Sequence, residues 1–320
     1  MDRSPPASRH RALIRLALHA LGLVAICVAV MALVGQDPTR ALTALEPLLL
    51  TALVVAFAML TLLAAIGWRW CLAATSGASP GLGLALVNVS YMLVAKYLPG
   101  KVWGVLARVA LAPSAGVTAT AVVRASVAEQ MLTIWAGMVV GGSALALPWL
   151  SPLAIVACAL LALALTPLAV STALSMLGVL VRLVPALRRR VDPTHLGLRL
   201  AATQALRVVM PYLVSWVIIV GCVALLTHAI ASTPAREAIA VGGAYAVGTL
   251  AGFVVLLAPG GIGVRESAFV LLSLPFIEAR DAIAVAAALR IWTTAGDVAA
   301  GLLGQVLAAR LVDQTGGTPA

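Results

Sequence analysis

The chain has 320 residues, 62% of them hydrophobic and only 10% charged, with 21 Lys and Arg against 11 Asp and Glu and a formal net charge of +10. Soluble domains carry about 25% charged residues, so this composition excludes an ordinary soluble domain, and many uncharged runs reach the roughly 20 residues that a helix needs to cross a bilayer. The runs do not alternate apolar and polar with period 2, which argues against a barrel, and with no basic soluble domain the excess positive charge fits cytoplasmic loops rather than nucleic acid.

In chain order, Arg3, Arg9, Arg11 and Arg15 precede a first apolar span at 16–34. The run is long and lacks a small-x-small cleavage site, so it reads as a retained helix rather than a signal peptide. A second span is expected at 47–67. Trp68-Arg69-Trp70 follows as an interfacial anchor, because indole rings favour the headgroup region. Residues 82–98 are apolar apart from Asn88, Ser90, Tyr91 and Lys96, and end at Pro99-Gly100. The next helix, 101–112, is about 18 Å long at 1.5 Å per residue, too short for a hydrocarbon core of about 30 Å. The two pieces fit a re-entrant or broken-helix hairpin.

A long helix is expected at 119–147, a tight turn at 148–152, and a fifth segment from 153 to about 180. An arginine-rich loop then leads to a span at 208–226 and another at 238–258. That last span runs into Ala258-Pro259-Gly260-Gly261-Ile262-Gly263-Val264-Arg265-Glu266, a second break in apolar sequence. A short helix to Leu274-Pro275 and a final span at 282–308 complete the chain.

The fold expected is all-α: a polytopic transmembrane bundle of six full spans plus two re-entrant hairpins, or eight helices if both long hairpin arms cross. Residues 1–320 form one integral membrane domain, and the chain ends at Ala320 with no soluble catalytic domain expected. With the N-terminus cytoplasmic, the arginines at 3–15, 69, 182–207 and 310 fall inside, and only Arg40, Arg236 and Arg280 fall outside. That asymmetry puts both termini in the cytoplasm.

The two breaks match each other. Pro99-Gly100, Gly104-Val105 and Ile134-Trp135 run parallel to Pro259-Gly260, Gly263-Val264 and Ile291-Trp292, with similar separations from proline to tryptophan. This suggests repeats at 12–147 and 152–310. Three spans per repeat would invert the second copy, the plan of transporters whose site lies where broken helices meet at the midplane.

The motifs Tyr97-Leu98-Pro99-Gly100-Lys101-Val102-Trp103 and Ala258-Pro259-Gly260-Gly261-Ile262-Gly263-Val264-Arg265-Glu266 resemble the lysylphosphatidylglycerol synthase transmembrane-region family of flippase-like membrane proteins. The resemblance covers most of the chain. It implies a bacterial-type inner-membrane (plasma-membrane) bundle that handles a lipid or lipid-linked sugar. In two-part synthases of this kind a separate soluble domain makes the aminoacylated lipid. None is expected here, so aminoacyl transfer within the same chain is not expected.

The candidate substrate-binding residues are Lys101, Gly260, Gly261, Gly263, Arg265, Glu266 and Arg290. Backbone N–H groups at a helix start favour anions. The glycines allow close approach, and Arg265 can hold a phosphate through two hydrogen bonds. Two readings of Arg265 and Glu266 stand side by side: a headgroup-phosphate clamp, and an ion pair that merely satisfies a broken helix.

Lys96, Arg124, Glu129 and Asp297 are an expected intramembrane polar network, since such charges face a bundle interior or cavity. Glu129 and Asp297 are candidates to neutralise Arg124, Arg265 or Arg290. Arg290 and Asp297, seven apart, share a helix face. Arg108 is expected to snorkel to the interface, and Tyr97 and Trp103 to act as interfacial anchors. Cys27, Cys71, Cys158 and Cys222 are scattered, and no His, Cys or Ser arrangement suggests a metal, a cofactor or a catalytic triad.

The leading reading is a protein that binds or translocates an anionic lipid or lipid-linked intermediate. The alternatives are a membrane enzyme, which the missing triad disfavours, and a non-transporting partner of a glycosyltransferase or lipid-synthesis enzyme.

Overall fold

The structure is a computed structural model, and it describes residues 46–97, 103–112, 116–169, 171–172, 202–254 and 263–314. The expected span at 16–34 and the arginine-rich loop at 182–199 lie outside the described residues. The described chain is helical: α1 Pro47–Ser76, α2 Leu82–Ala95, α3 Trp103–Ala110, α4 Ala119–Ala146, α5 Pro152–Ala164, α6 Ala202–Ala231, α7 Ala235–Val254, α8 Val264–Ser273 and α9 Ala279–Gln314.

Local sequence sets many of these ends. Pro47 opens α1 where its missing N–H is not needed. Gly77 closes α1 at φ 75°, a left-handed cap that a Cβ would oppose. The Thr118 hydroxyl accepts from the Ala121 N–H at 3.2 Å and starts α4, as Ser151 does from Ala154 for α5. Pro211 lies inside α6 and removes one helical hydrogen bond. Its carbonyl accepts from the Ser215 hydroxyl at 2.7 Å.

Three described helices are long and apolar enough to cross a membrane: Pro47–Ser76, Thr203–Ala231 and Ala279–Leu311. Apolar side chains also cover the outside. Leu48 and Leu153 are each 79% exposed and Val54 69%, a surface that suits hydrocarbon rather than water. The chain is a helical membrane bundle.

The packing is reciprocal. α2 lies on α9, and α7 lies on α4. α1 touches α2, α4 and α9, as α6 touches α7, α9 and α4, and α1 and α6 touch each other. Each short helix sits between its broken partner and the next long helix: α3 on α2 and α4, α8 on α7 and α9. α5 packs on α4. One core gathers Trp68, Leu72, Leu132, Tyr212 and Trp216, and a second gathers Leu226, Phe269, Val285 and Leu289.

Two expectations are corrected. Trp68 is not an interfacial anchor: α1 continues to Ser76, and the indole is buried at 1% exposure. Arg108 does not snorkel. It is 2% exposed, paired with Glu129 through Nη1 and Nη2, and its guanidinium lies 4.1 Å from the centre of the Trp68 ring. The two corrections are linked, because the Glu129 carboxylate and the Trp68 ring face together hold the cation inside the bundle.

Candidate functional site

The flanks of the two broken regions meet on one face of α9. Arg290, Thr294 and Asp297 fall at i, i+4 and i+7 on that helix and therefore point the same way. From the first break, Lys96 Nζ lies 2.6 Å from Asp297 Oδ2, and the Tyr97 hydroxyl donates to the same oxygen at 2.6 Å. The Tyr97 hydroxyl also lies 3.5 Å from Thr294 Oγ1.

From the second break, Gly263 caps α8 at φ 86°, and its N–H donates to Glu266 Oε2 at 2.9 Å. Glu266 Oε1 accepts from Arg265 at 3.2 and 3.0 Å through Nε and Nη2, and from Arg290 Nη1 at 3.5 Å. The Arg265 guanidinium lies 5.5 Å from the centre of the Tyr245 ring. Arg290 closes the circuit, with its guanidinium 6.0 Å from the centre of the Tyr97 ring.

The cluster holds Lys96, Arg265 and Arg290 against Glu266 and Asp297, an excess of one positive charge. Its side chains are partly reachable: 14% exposed for Arg265, 16% for Arg290, 28% for Glu266 and 42% for Lys96. Asp297 is buried, and its Oδ1 has no hydrogen-bond partner among the described residues. A buried polar oxygen without a partner is costly. Chemically, the arrangement sets two guanidinium groups on one oxygen of a shared carboxylate whose other oxygen takes the α8 N-terminal amide, so the cations can pair with an anion while the helix start stays capped.

The family model of the Lysylphosphatidylglycerol synthase TM region matches residues 15–301. The chain belongs to that family. It is thereby a membrane protein tied to lipid-related processes. Searches of the curated proteins and of the solved structures returned no match.

In this family member, Gly263, Arg265, Glu266, Arg290, Lys96 and Asp297 converge on the face of α9. Lys101, Gly260 and Gly261 lie outside the described residues. Glu129 and Arg124 stand apart from the cluster. Glu129 neutralises Arg108 instead of Arg124, Arg265 or Arg290, and Arg124 Nη1 donates to the Thr75 carbonyl at 3.1 Å. Asp297 pairs with Lys96 rather than with an arginine.

Tyr97, Thr294 and Tyr245 are members that the residue pattern missed. Tyr97 reads locally as an interfacial anchor, and its partner Asp297 is 200 positions away. The signal that would have found it is adjacency to the break: it immediately precedes Leu98-Pro99-Gly100. Among the described residues no group of His, Cys, Asp and Glu could hold a metal ion.

Proposed function

We propose that this chain binds the anionic headgroup of a lipid or lipid-linked intermediate and moves it between the leaflets of the inner, plasma membrane. The observation that carries this reading is the charge cluster that joins the flanks of both breaks through α9. Arg265 and Arg290 take the phosphate, which displaces the Glu266 carboxylate from them. Glu266 keeps its bond to the Gly263 amide, so the helix start stays satisfied while the guanidiniums change partner. Lys101, Gly260 and Gly261 are further proposed binding residues for that headgroup, whose acyl tails remain in lipid.

Repeats 12–147 and 152–310, with one hairpin dipping in from each side, give the path its two mouths. The reciprocal packing of α2 on α9 and α7 on α4 supports that arrangement. Six full spans and two re-entrant hairpins then leave both termini in the cytoplasm. A lipid-synthesis enzyme or glycosyltransferase is the partner whose product this chemistry suits.

The test is reconstitution in liposomes with labelled phospholipids and polyprenyl-phosphate lipids. Accelerated exchange of anionic lipids between leaflets is expected. Unchanged leaflet distribution across the whole lipid panel contradicts the proposal.

A further inference from the structure

We propose that Asp297 is the site of a coupling proton, which binds when the headgroup draws Lys96 away and moves across the membrane with that headgroup. The proposal rests on the headgroup reading above and deepens it, because it names the ion that drives the movement.

The Lys96–Asp297 pair is unequal. The Asp297 side chain, inside α9, is 2% exposed, whereas that of Lys96 is 42% exposed, with Nζ 2.6 Å from Asp297 Oδ2. Lys96 is the residue that caps the end of α2. Its charge sits on a flexible four-carbon stem and makes no two-bond fork with a carboxylate, unlike an arginine. One partner is therefore fixed and the other can turn. Lys96 Nζ lies 5.5 Å from the centre of the Tyr97 ring, and the Arg290 guanidinium lies 6.0 Å from the same centre. A phosphate taken by Arg290 thus arrives beside Lys96 and offers it a second anion.

The consequence falls on Asp297. The charged and titratable groups around it are Lys96 and Tyr97 from the α2 flank, Arg290 on α9 itself, and Arg265 and Glu266 from α8. α1 meets this stretch of α9 through Phe57, against Trp292 and Gly296, and brings no charge. α6 meets α9 nearer Leu289, in the core that holds Cys222 and Leu226. Arg290 and Arg265 are engaged by Glu266 and then by the phosphate. Once Lys96 turns, Asp297 keeps only the Tyr97 hydroxyl, which donates to Oδ2 at 2.6 Å. A buried carboxylate without a countercharge is costly enough to be neutralised by a proton. That proton goes to Oδ1, because Oδ2 already accepts from Tyr97. One proton leaves solvent and one O–H bond forms on Asp297, while the Lys96–carboxylate pair is exchanged for a Lys96–phosphate pair. Release of the headgroup reverses both changes.

Proton and headgroup then favour each other's binding reciprocally. A headgroup with one negative charge and one proton cross as a neutral load, so a pH gradient sets the direction of net movement and the membrane potential does not oppose it.

Proteoliposomes of the full chain with labelled phosphatidylglycerol, placed under an imposed pH gradient, test this. Wild type is expected to enrich the label in the leaflet on the alkaline side, beyond protein-free vesicles under the same gradient. At one proton per headgroup the limit is about tenfold for each pH unit. Asp297→Asn and Lys96→Gln are each expected to lose the enrichment while still exchanging the label, more slowly, at equal pH. Asparagine cannot take up the proton, and with glutamine at 96 the acid holds its proton throughout. Wild-type exchange without enrichment, or enrichment by either folded variant as in wild type, overturns this proposal alone. Loss of exchange as well as enrichment in the folded variants marks a structural pair and also overturns it. Wild type that exchanges no phosphatidylglycerol at any pH contradicts the headgroup reading, and this proposal with it. Lys96 is the more exposed partner, so Lys96→Gln decides by itself if Asp297→Asn does not fold.

Discussion

Two ion pairs tie a short helix to the long helix that follows it, and they differ in exposure and in how their carboxylates are shared. Arg108 and Glu129 are 1% and 7% exposed at their side chains, with an indole over the cation, and are sealed in the first core. Arg290 and Glu266 are 16% and 28% exposed and share their carboxylate with Arg265. Glu129→Gln is expected to leave the Arg108 cation without a countercharge and to destabilise the protein by about 3–5 kcal/mol. A large fall in melting temperature in detergent checks it, and a melting temperature equal to wild type contradicts it. Arg265→Gln is expected to leave the melting temperature nearly unchanged and to weaken binding of an anionic lipid. Charge-assisted hydrogen bonds contribute about 1.5–3 kcal/mol, and each 1.4 kcal/mol is tenfold, so the loss is roughly 10- to 100-fold. Native mass spectrometry of the two proteins with phosphatidylglycerol reads it directly.

At this scale the sequence marked the charged residues but not their partners. Arg108 lies in the last turn of a short helix and reads as a surface residue. Only the fold, which brings α1 and α4 around it, shows that Trp68 and Glu129 enclose it. The same holds for Tyr97 and Asp297, whose contact is long-range and leaves no local pattern.

Among the elements, α9 makes contacts on two opposite faces. Arg290, Thr294 and Asp297 meet the flanks of the breaks, while Gly296 on the other side accepts the Phe57 ring of α1. The position of α8 depends on one small residue of α7. A Cβ on Gly248 would lie 2.9 Å from the Phe269 amide nitrogen and 3.0 Å from the Arg265 carbonyl oxygen. Both are backbone atoms, so α8 must shift and take Arg265 with it. Gly248→Ala is expected to cost about 1–3 kcal/mol by overpacking, and to lower lipid exchange by more than the lost folded protein explains. Gly142→Ala, where a Cβ meets nothing within 4 Å, is expected to leave both unchanged. Parallel thermal melts and exchange rates of the two variants check the pair.

Element starts and types were largely legible here. The starts expected at 47, 82 and 119 are those of α1, α2 and α4, and the short helix expected after the second break is α8. Helix ends were less so. α1 and α6 run past the spans expected at 47–67 and 208–226, to Ser76 and to Ala231, and the added turns carry the buried Trp68 and Thr227.

For the whole molecule, composition alone announced a membrane protein, and the family match agrees with it. What composition could not announce is that α9 brings the flanks of two breaks from opposite halves of the chain to one partly exposed charge cluster. The central claim is that this cluster carries an anionic headgroup across the bilayer. It is tested most directly by leaflet exchange in proteoliposomes, measured for wild type, Arg265→Gln and Arg290→Gln with labelled phosphatidylglycerol and labelled phosphatidylcholine. Wild type is expected to exchange phosphatidylglycerol well above protein-free vesicles and faster than phosphatidylcholine, with both variants losing that advantage roughly 10-fold or more. Exchange of phosphatidylglycerol at the wild-type rate by folded Arg265→Gln and Arg290→Gln would contradict the account.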